Sequence, residues 1–210
     1  MRTAALVGIV LTGLGLRVDY AWEGRPPVFD AAAYARIAAN LDRDRGFTLG
    51  RAATQPASDY SPGLPLIVAG VYKASGGVHE RLARLVLALI GSLAVLFAYL
   101  IGRRLSGPAA GLIAAAAVAI YPALLEYQGM LMGEPLAATL LSGSVLATLW
   151  ASGVRQNRHS GGRRRQDPPA IWLVPGLSFG ALCLVRPEYL AVTALIAVVV
   201  FARTARSNWR

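Results

Sequence analysis

Asp30, Glu134, Arg17, Arg84 and Arg186 are the side chains whose types suggest chemistry. A carboxylate takes the proton of a hydroxyl nucleophile, and a guanidinium holds a phosphate oxyanion through its planar fork. Each also has a plainer use. Asp30 opens a helical pattern and is placed to cap free N–H groups. Glu134 stands at the start of an apolar stretch, where a helix dipole favours negative charge. Arg17 lies in the outer turn of another apolar stretch and is placed to snorkel to a membrane interface. Arg186 and Glu188 are placed to pair across a short turn. Taken singly, each reads as structural. Chemistry is indicated only if the fold brings them to one face.

The elements that must position them are apolar. The chain is 55% hydrophobic, and its apolar residues come in runs that match the thickness of a bilayer. The fold class is therefore all-α, a polytopic membrane helix bundle of about six transmembrane helices, with residues 1–210 forming a single membrane domain. The expected spans are 3–22, 84–102, 109–125, 135–150, 170–185 and 189–202. A cleaved signal peptide competes for the first of these. The small-residue cleavage pattern is missing, and Tyr20 and Trp22 form an interfacial belt at the far end, which favours a retained span. The third span is alanine-rich, which permits close helix contact.

Charge sets the orientation. The formal net charge is +10. Arg2, Arg103, Arg104, the arginines between Arg155 and Arg165, and those after Ala202 fall on one side, opposed there by Asp167 alone. The remaining basic residues are balanced by acids on the other side. The positive-inside rule then places both termini in the cytoplasm and the protein in the plasma or inner membrane. The Arg-rich stretch within the cytoplasmic loop 151–169 reads as a retention signal, not a nucleic-acid surface. Cys183 is the only cysteine, so no intrachain disulfide forms, and it reads as packing. His79 and His159 fall on opposite sides and cannot share a metal. No phosphate-binding glycine loop, HExxH or paired-cysteine motif is present.

The first extracytoplasmic loop, 23–83, is too long for a simple connection. From Asp30, Tyr34, Ile37, Ala38 and Leu41 recur at helical spacing, with Arg36, Asn40 and Arg43 on the other face. This predicts a short amphipathic helix lying flat on the membrane surface and ending near Gly46. A turn-rich segment follows to Pro56. Tyr60 to Pro65 leads into a second apolar helix, about 64–75, ending at Gly76-Gly77. It is too short to span and is expected to be re-entrant or interfacial.

The order of these features resembles membrane glycosyltransferases of the GT-C superfamily, in particular the protein-mannosyltransferase and aminoarabinose-transferase-like group, glycosyltransferase family 39. The likeness is carried by GLGLRVDYAW, FDAAAYARIAANL, DYSPGLPLIVAGVY, ERLARLVLALIG, LIGRRLSGPAAGLIAAAAVAIYPALLEYQGMLMGEPLAA and GLSFGALCLVRPEYL, from about Gly13 to about Tyr189. The resemblance implies a polyprenyl-phosphate sugar donor and Asp30 as catalytic base. A second acid often follows that base; here Ala31 stands there. Arg17 and Arg84 match basic residues facing the donor phosphate, Glu134 the acid opening the fourth span, and Arg186 the RP turn after the fifth. Tyr34 and Tyr60 complete the expected substrate-binding set. Family members usually carry more than six spans, so the chain is expected to be a truncated frame, a reduced member or a non-catalytic relative.

Two readings of function follow. In the first, Asp30 deprotonates an acceptor hydroxyl on a glycan, lipid or protein, which attacks the anomeric carbon of a lipid-phosphate sugar on the extracytoplasmic face. In the second, the chain is a non-catalytic lipid-phosphate-binding or assembly subunit of a cell-envelope glycan pathway. A small transporter is a third, disfavoured by the nearly all-apolar mid-span positions. Membrane lipid is the expected surrounding, and nucleic acid is not a partner. No cofactor is expected, with a divalent metal left open.

Overall fold

The computed structural model describes residues 1–50, 52, 54–152 and 169–208. Two long helices frame it. α1 (Arg2–Glu23) and α4 (Glu80–Ser106) have 22 and 27 residues. At 1.5 Å per residue they measure about 33 and about 40 Å. Both are long and apolar enough to cross a bilayer. α4 begins one turn before Arg84, the expected start of that span.

α5 (Pro108–Ala119) and α6 (Pro122–Gln128) would make a third such span if counted together, yet they bend by 46° at their junction. The continuous helix expected over 109–125 is broken. Pro122 lacks an N–H and disfavours helical geometry at the residue before it. Tyr121 is accordingly extended, with φ −66° and ψ 113°. Proline is tolerated in a first helical turn, so the chain turns there and continues as α6.

Between α1 and α4 lie α2 (Asp30–Asp42), a small ribbon of β1 (Thr48–Leu49) against β2 (Gln55–Pro56), and α3 (Gly63–Ser75). The ribbon is antiparallel, with Thr48 opposite Pro56 and Leu49 opposite Gln55. α3 ends at Gly76, whose φ of 78° is the left-handed cap that glycine adopts readily. α7 (Glu134–Ala151), a 3₁₀ turn (Pro169–Trp172), α8 (Leu173–Val185) and α9 (Tyr189–Asn208) complete the described chain. It is an all-α membrane helix bundle. Residues 153–168, most of the Arg-rich loop expected over 151–169, lie outside the described residues with His159, and so does Arg210.

α4 is the hub, packed against α1, α5 and α7. Small residues let it approach α5. A Cβ on Gly111 would fall 2.6 Å from the Tyr99 carbonyl oxygen, and one on Gly102 2.9 Å from that of Ala110. This is the close contact that an alanine- and glycine-rich helix allows. A larger apolar cluster joins the outer elements: Ala38 of α2, Leu64, Val68 and Tyr72 of α3, Leu87 of α4, Leu136 of α7 and Leu182 of α8.

That cluster holds α2 in place. Its apolar face, with Ala31, Ala35, Ile37 and Ala38 buried, docks on α3. Asn40, expected on the polar face, is 1% exposed. Its Nδ2 donates to the carbonyl oxygens of Thr48 and Gly50, each at 3.0 Å. A buried amide needs such partners, and here they tie the ribbon to the helix.

Candidate functional site

The expected site residues fall into two groups. The first gathers where α2, α7 and the α8–α9 turn meet. Glu134 is the first residue of α7, and Arg186 is the extended residue that ends α8. Arg186 Nη2 donates to Glu134 Oε1, and its Nη1 donates to Glu188 Oε1 at 3.1 Å. The Arg186–Glu188 pair is the one expected across that turn. Glu134 joins it from another helix. Burial lowers the pKa of Arg186, but the charge and hydrogen bond of Glu134, helped by Glu188, outweigh it and raise the net value. Glu134 Oε2 is buried with no hydrogen-bond partner.

Tyr34 and Tyr60 join this group. Their rings meet edge to face, centroids 5.7 Å apart and planes at 82°. The turn after Tyr60 is pressed against the end of α8: a Cβ on Gly63 would lie 2.6 Å from Val185 Cγ2. Only glycine fits there. Burial raises the pKa of the Tyr34 phenol. Arg186 lowers it, and Asp30, Glu134 and Glu188 each raise it. Asp30, Glu134, Glu188 and Arg186 are therefore all within electrostatic reach of Tyr34, whose ring touches Tyr60.

Asp30 is exposed in the first turn of α2. The capping role expected of it is not observed. Phe29 holds the N-cap position, and no side chain caps the helix. The Asp30 carboxylate is left facing outward.

The second group is Arg17 and Arg84, and here the structure departs from expectation. Arg17 does not snorkel. It is 1% exposed, and its guanidinium reaches α5. Nη1 donates to Gly13 O at 3.0 Å and Ala119 O at 3.2 Å, and Nη2 donates to Val118 O at 3.0 Å. These last two are carbonyls that α5 leaves unpaired by ending at Ala119. A cation at that negative end of the dipole is favourable. Arg84 does the same for α1. Its Nε donates to Ala21 O at 3.0 Å, and its guanidinium packs flat on Gly24, where a Cβ would collide with it. Glu80 lies 3.8 Å from Arg84 Nη1, one turn earlier. On the opposite end of the bundle Arg104 Nη2 donates to Leu149 O at 3.0 Å, in the last turn of α7.

Gln128 was not foreseen. It is 2% exposed, and its Nε2 donates to Arg84 O at 3.4 Å. The only hint in the sequence was that Pro122 can open a new helix and so carry Gln128 back into the bundle. Nearby, Arg25 Nη1 and Glu126 Oε1 make an exposed pair at 2.8 Å. Among the described residues no three His, Cys, Asp or Glu side chains form a metal-binding group.

A family model described as dolichyl-phosphate-mannose-protein mannosyltransferase matches residues 59–210. That stretch includes Tyr60, Arg84, Glu134 and Arg186, while Arg17, Asp30 and Tyr34 precede it. No curated protein and no solved structure matches the chain.

Proposed function

Since the chain belongs to the dolichyl-phosphate-mannose-protein mannosyltransferase family of GT-C membrane glycosyltransferases, we propose that it transfers a sugar from a polyprenyl-phosphate donor to an acceptor hydroxyl on the extracytoplasmic face. One observation carries this reading beyond the family. An exposed carboxylate, Asp30, stands in the same neighbourhood as the Tyr34–Tyr60 pair and the Glu134–Arg186 ion pair. The one-sided arginine distribution supports placing that face outside, with both termini in the cytoplasm of a cell whose plasma or inner membrane holds the bundle.

In this reading Asp30 takes the proton of the acceptor hydroxyl. The oxygen attacks the anomeric carbon as the bond to the donor phosphate breaks, and the electron pair leaves with the polyprenyl phosphate. Inversion at the anomeric carbon follows from a single displacement. Exposure suits the base, because the acceptor must reach it. Arg186 is locked by two carboxylates and holds Glu134 in place to hydrogen-bond sugar hydroxyls beside Tyr34 and Tyr60. Arg84 is the better of the two buried arginines for the phosphate, since only its Nε is hydrogen-bonded to a carbonyl. Arg17 has both terminal nitrogens on carbonyls and serves the fold.

Asp30→Asn tests the assignment. An amide cannot take the proton, and general-base assistance is worth roughly a hundred- to ten-thousand-fold. Transfer from polyprenyl-phosphate mannose should fall by that order with donor binding unchanged. Normal transfer by the variant would remove Asp30 from the reaction. Donor binding without transfer by the wild type would favour the subunit reading.

A further inference from the structure

α7, α8 and α9 leave between them a slot of about 350 Å³. Its walls include Thr148 of α7, Trp172 of the 3₁₀ turn, Gly176 and Phe179 of α8, and Thr193 and Val200 of α9. The surface is apolar even where the residue types are not. Thr148 Oγ1 donates to Ser144 O and Thr193 Oγ1 to Tyr189 O, each at 2.8 Å, so both hydroxyls are satisfied within their own helices. Thr193 and Val200 lie seven residues apart, about 10 Å along α9. Spread over that length, the volume leaves about 35 Å² of cross-section, whereas a helix with its side chains is about 10–12 Å across. A further helix does not enter such a slot, but one extended hydrocarbon chain does. A length of about 10 Å also covers most of one leaflet, half of a hydrocarbon core about 30 Å thick. One end of the slot is basic. Arg104 Nη2 donates to Leu149 O at 3.0 Å, beside Thr148, and Arg103 precedes it in the last turn of α4. Arg203 and Arg206 follow Val200 in α9. Among the described residues no Asp or Glu lies at this end.

We propose that the slot holds one acyl chain of an anionic phospholipid, with the lipid phosphate at the arginine-rich end. The apolar walls alone would accept any lipid. The arginines select an anionic one, as basic clusters beside membrane helices do. Trp172 suits the mouth of such a site, because an indole settles at the level of the headgroups. The site is separate from that of the sugar donor, whose phosphate the function proposed above places at the opposite end of the bundle, near Arg84. A bound chain would fill the space between α9 and its neighbours, which approach each other beside the slot through Cys183 Sγ and Thr193 Oγ1 at 3.6 Å. Gly176 keeps the slot open, since a Cβ there would meet nothing within 4 Å.

The test places the full chain in detergent micelles with equal amounts of phosphatidylglycerol and phosphatidylcholine and counts the lipid that stays bound, by native mass spectrometry. The wild type should retain phosphatidylglycerol over phosphatidylcholine by about fivefold, the worth of one basic residue near an anionic headgroup. Gly176→Leu fills the slot and should lose the retained lipid while melting no lower than the wild type. Gly180→Leu is the control: an added Cβ there also meets nothing within 4 Å, yet Gly180 does not wall the slot, so retention should be unchanged. Arg104→Gln should still retain a lipid but bring the ratio of the two toward one. Equal retention of both lipids by the wild type, or undiminished retention by Gly176→Leu, would overturn the proposal. Displacement of the bound phosphatidylglycerol by polyprenyl phosphate would also overturn it, by making the slot the donor's.

Discussion

The two arginine-bearing regions differ in what the guanidinium meets. Where the start of α7 meets the end of α8, Arg186 meets two carboxylates, and the Tyr34 phenol lies near it. Between α1, α4 and α5, Arg17 meets backbone carbonyls, while Arg84 meets one carbonyl through Nε and has the Glu80 carboxylate 3.8 Å from its Nη1. In the function proposed above, the first arrangement positions side chains for a substrate. The second completes helices that end inside the bundle, where water is not at hand to satisfy them. The lesson is that an arginine near a membrane surface is not by itself an anion site. Its partners decide.

The comparison is broken or sharpened most strongly at Arg17. Arg17→Met should destabilise the protein by about 2–4 kcal/mol, because Val118 and Ala119 lose their donor in a buried place. A denaturant midpoint close to the wild type would mean that α5 does not depend on this clamp. Gly111→Val comes next. Its side chain would meet Tyr99 backbone at the α4–α5 contact, and overpacking of this kind costs about 1–3 kcal/mol. Loss of activity in that variant should follow loss of folded protein and nothing more. In the outer group Glu134→Gln should cost about 1 kcal/mol or less of stability, since the ion pair is partly solvated and Arg186 keeps Glu188. Transfer should fall by at least tenfold, the equivalent of about 1.4 kcal/mol of lost transition-state binding. A stability loss as large as that of Arg17→Met would erase the distinction between the regions.

The smallest effect concerns pH. The Tyr34 phenol binds its proton more tightly in the folded state than at the ordinary value of 10.0. Its contribution is fully present below that value and is lost as pH rises through the raised folded pKa. Wild type and Tyr34→Phe should therefore show the same pH dependence of melting through the neutral range and diverge only above about pH 10. Divergence near neutrality would place Tyr34 in a different environment.

Much of the scaffold was legible because it depends on local pattern. The helical spacing after Asp30 located α2, and Gly76-Gly77 marked the end of α3. Glu134 and Arg186 were legible as residues facing one side, although their direct pairing across 52 positions was not. What escaped the sequence was decided by distant backbone. Arg17 finds its carbonyls about a hundred residues away, at a helix end created by Pro122. Asn40 is buried because a two-residue ribbon comes back over it. The span expected over 109–125 ran through Tyr121-Pro122, whereas proline ends one helix there and, in a first helical turn, permits a restart. Asp30 lost its expected cap role to the chain's unusual turn at Phe29.

The division of labour is tested most directly by measuring melting temperature and transfer rate on the same preparations of Asp30→Asn and Arg17→Met. The account predicts opposite signatures. Asp30→Asn should melt with the wild type and lose roughly a hundred- to ten-thousand-fold in transfer per folded molecule. Arg17→Met should melt lower and keep its transfer rate per folded molecule near that of the wild type. Unimpaired transfer by Asp30→Asn, or a catalytic collapse in fully folded Arg17→Met, would contradict it.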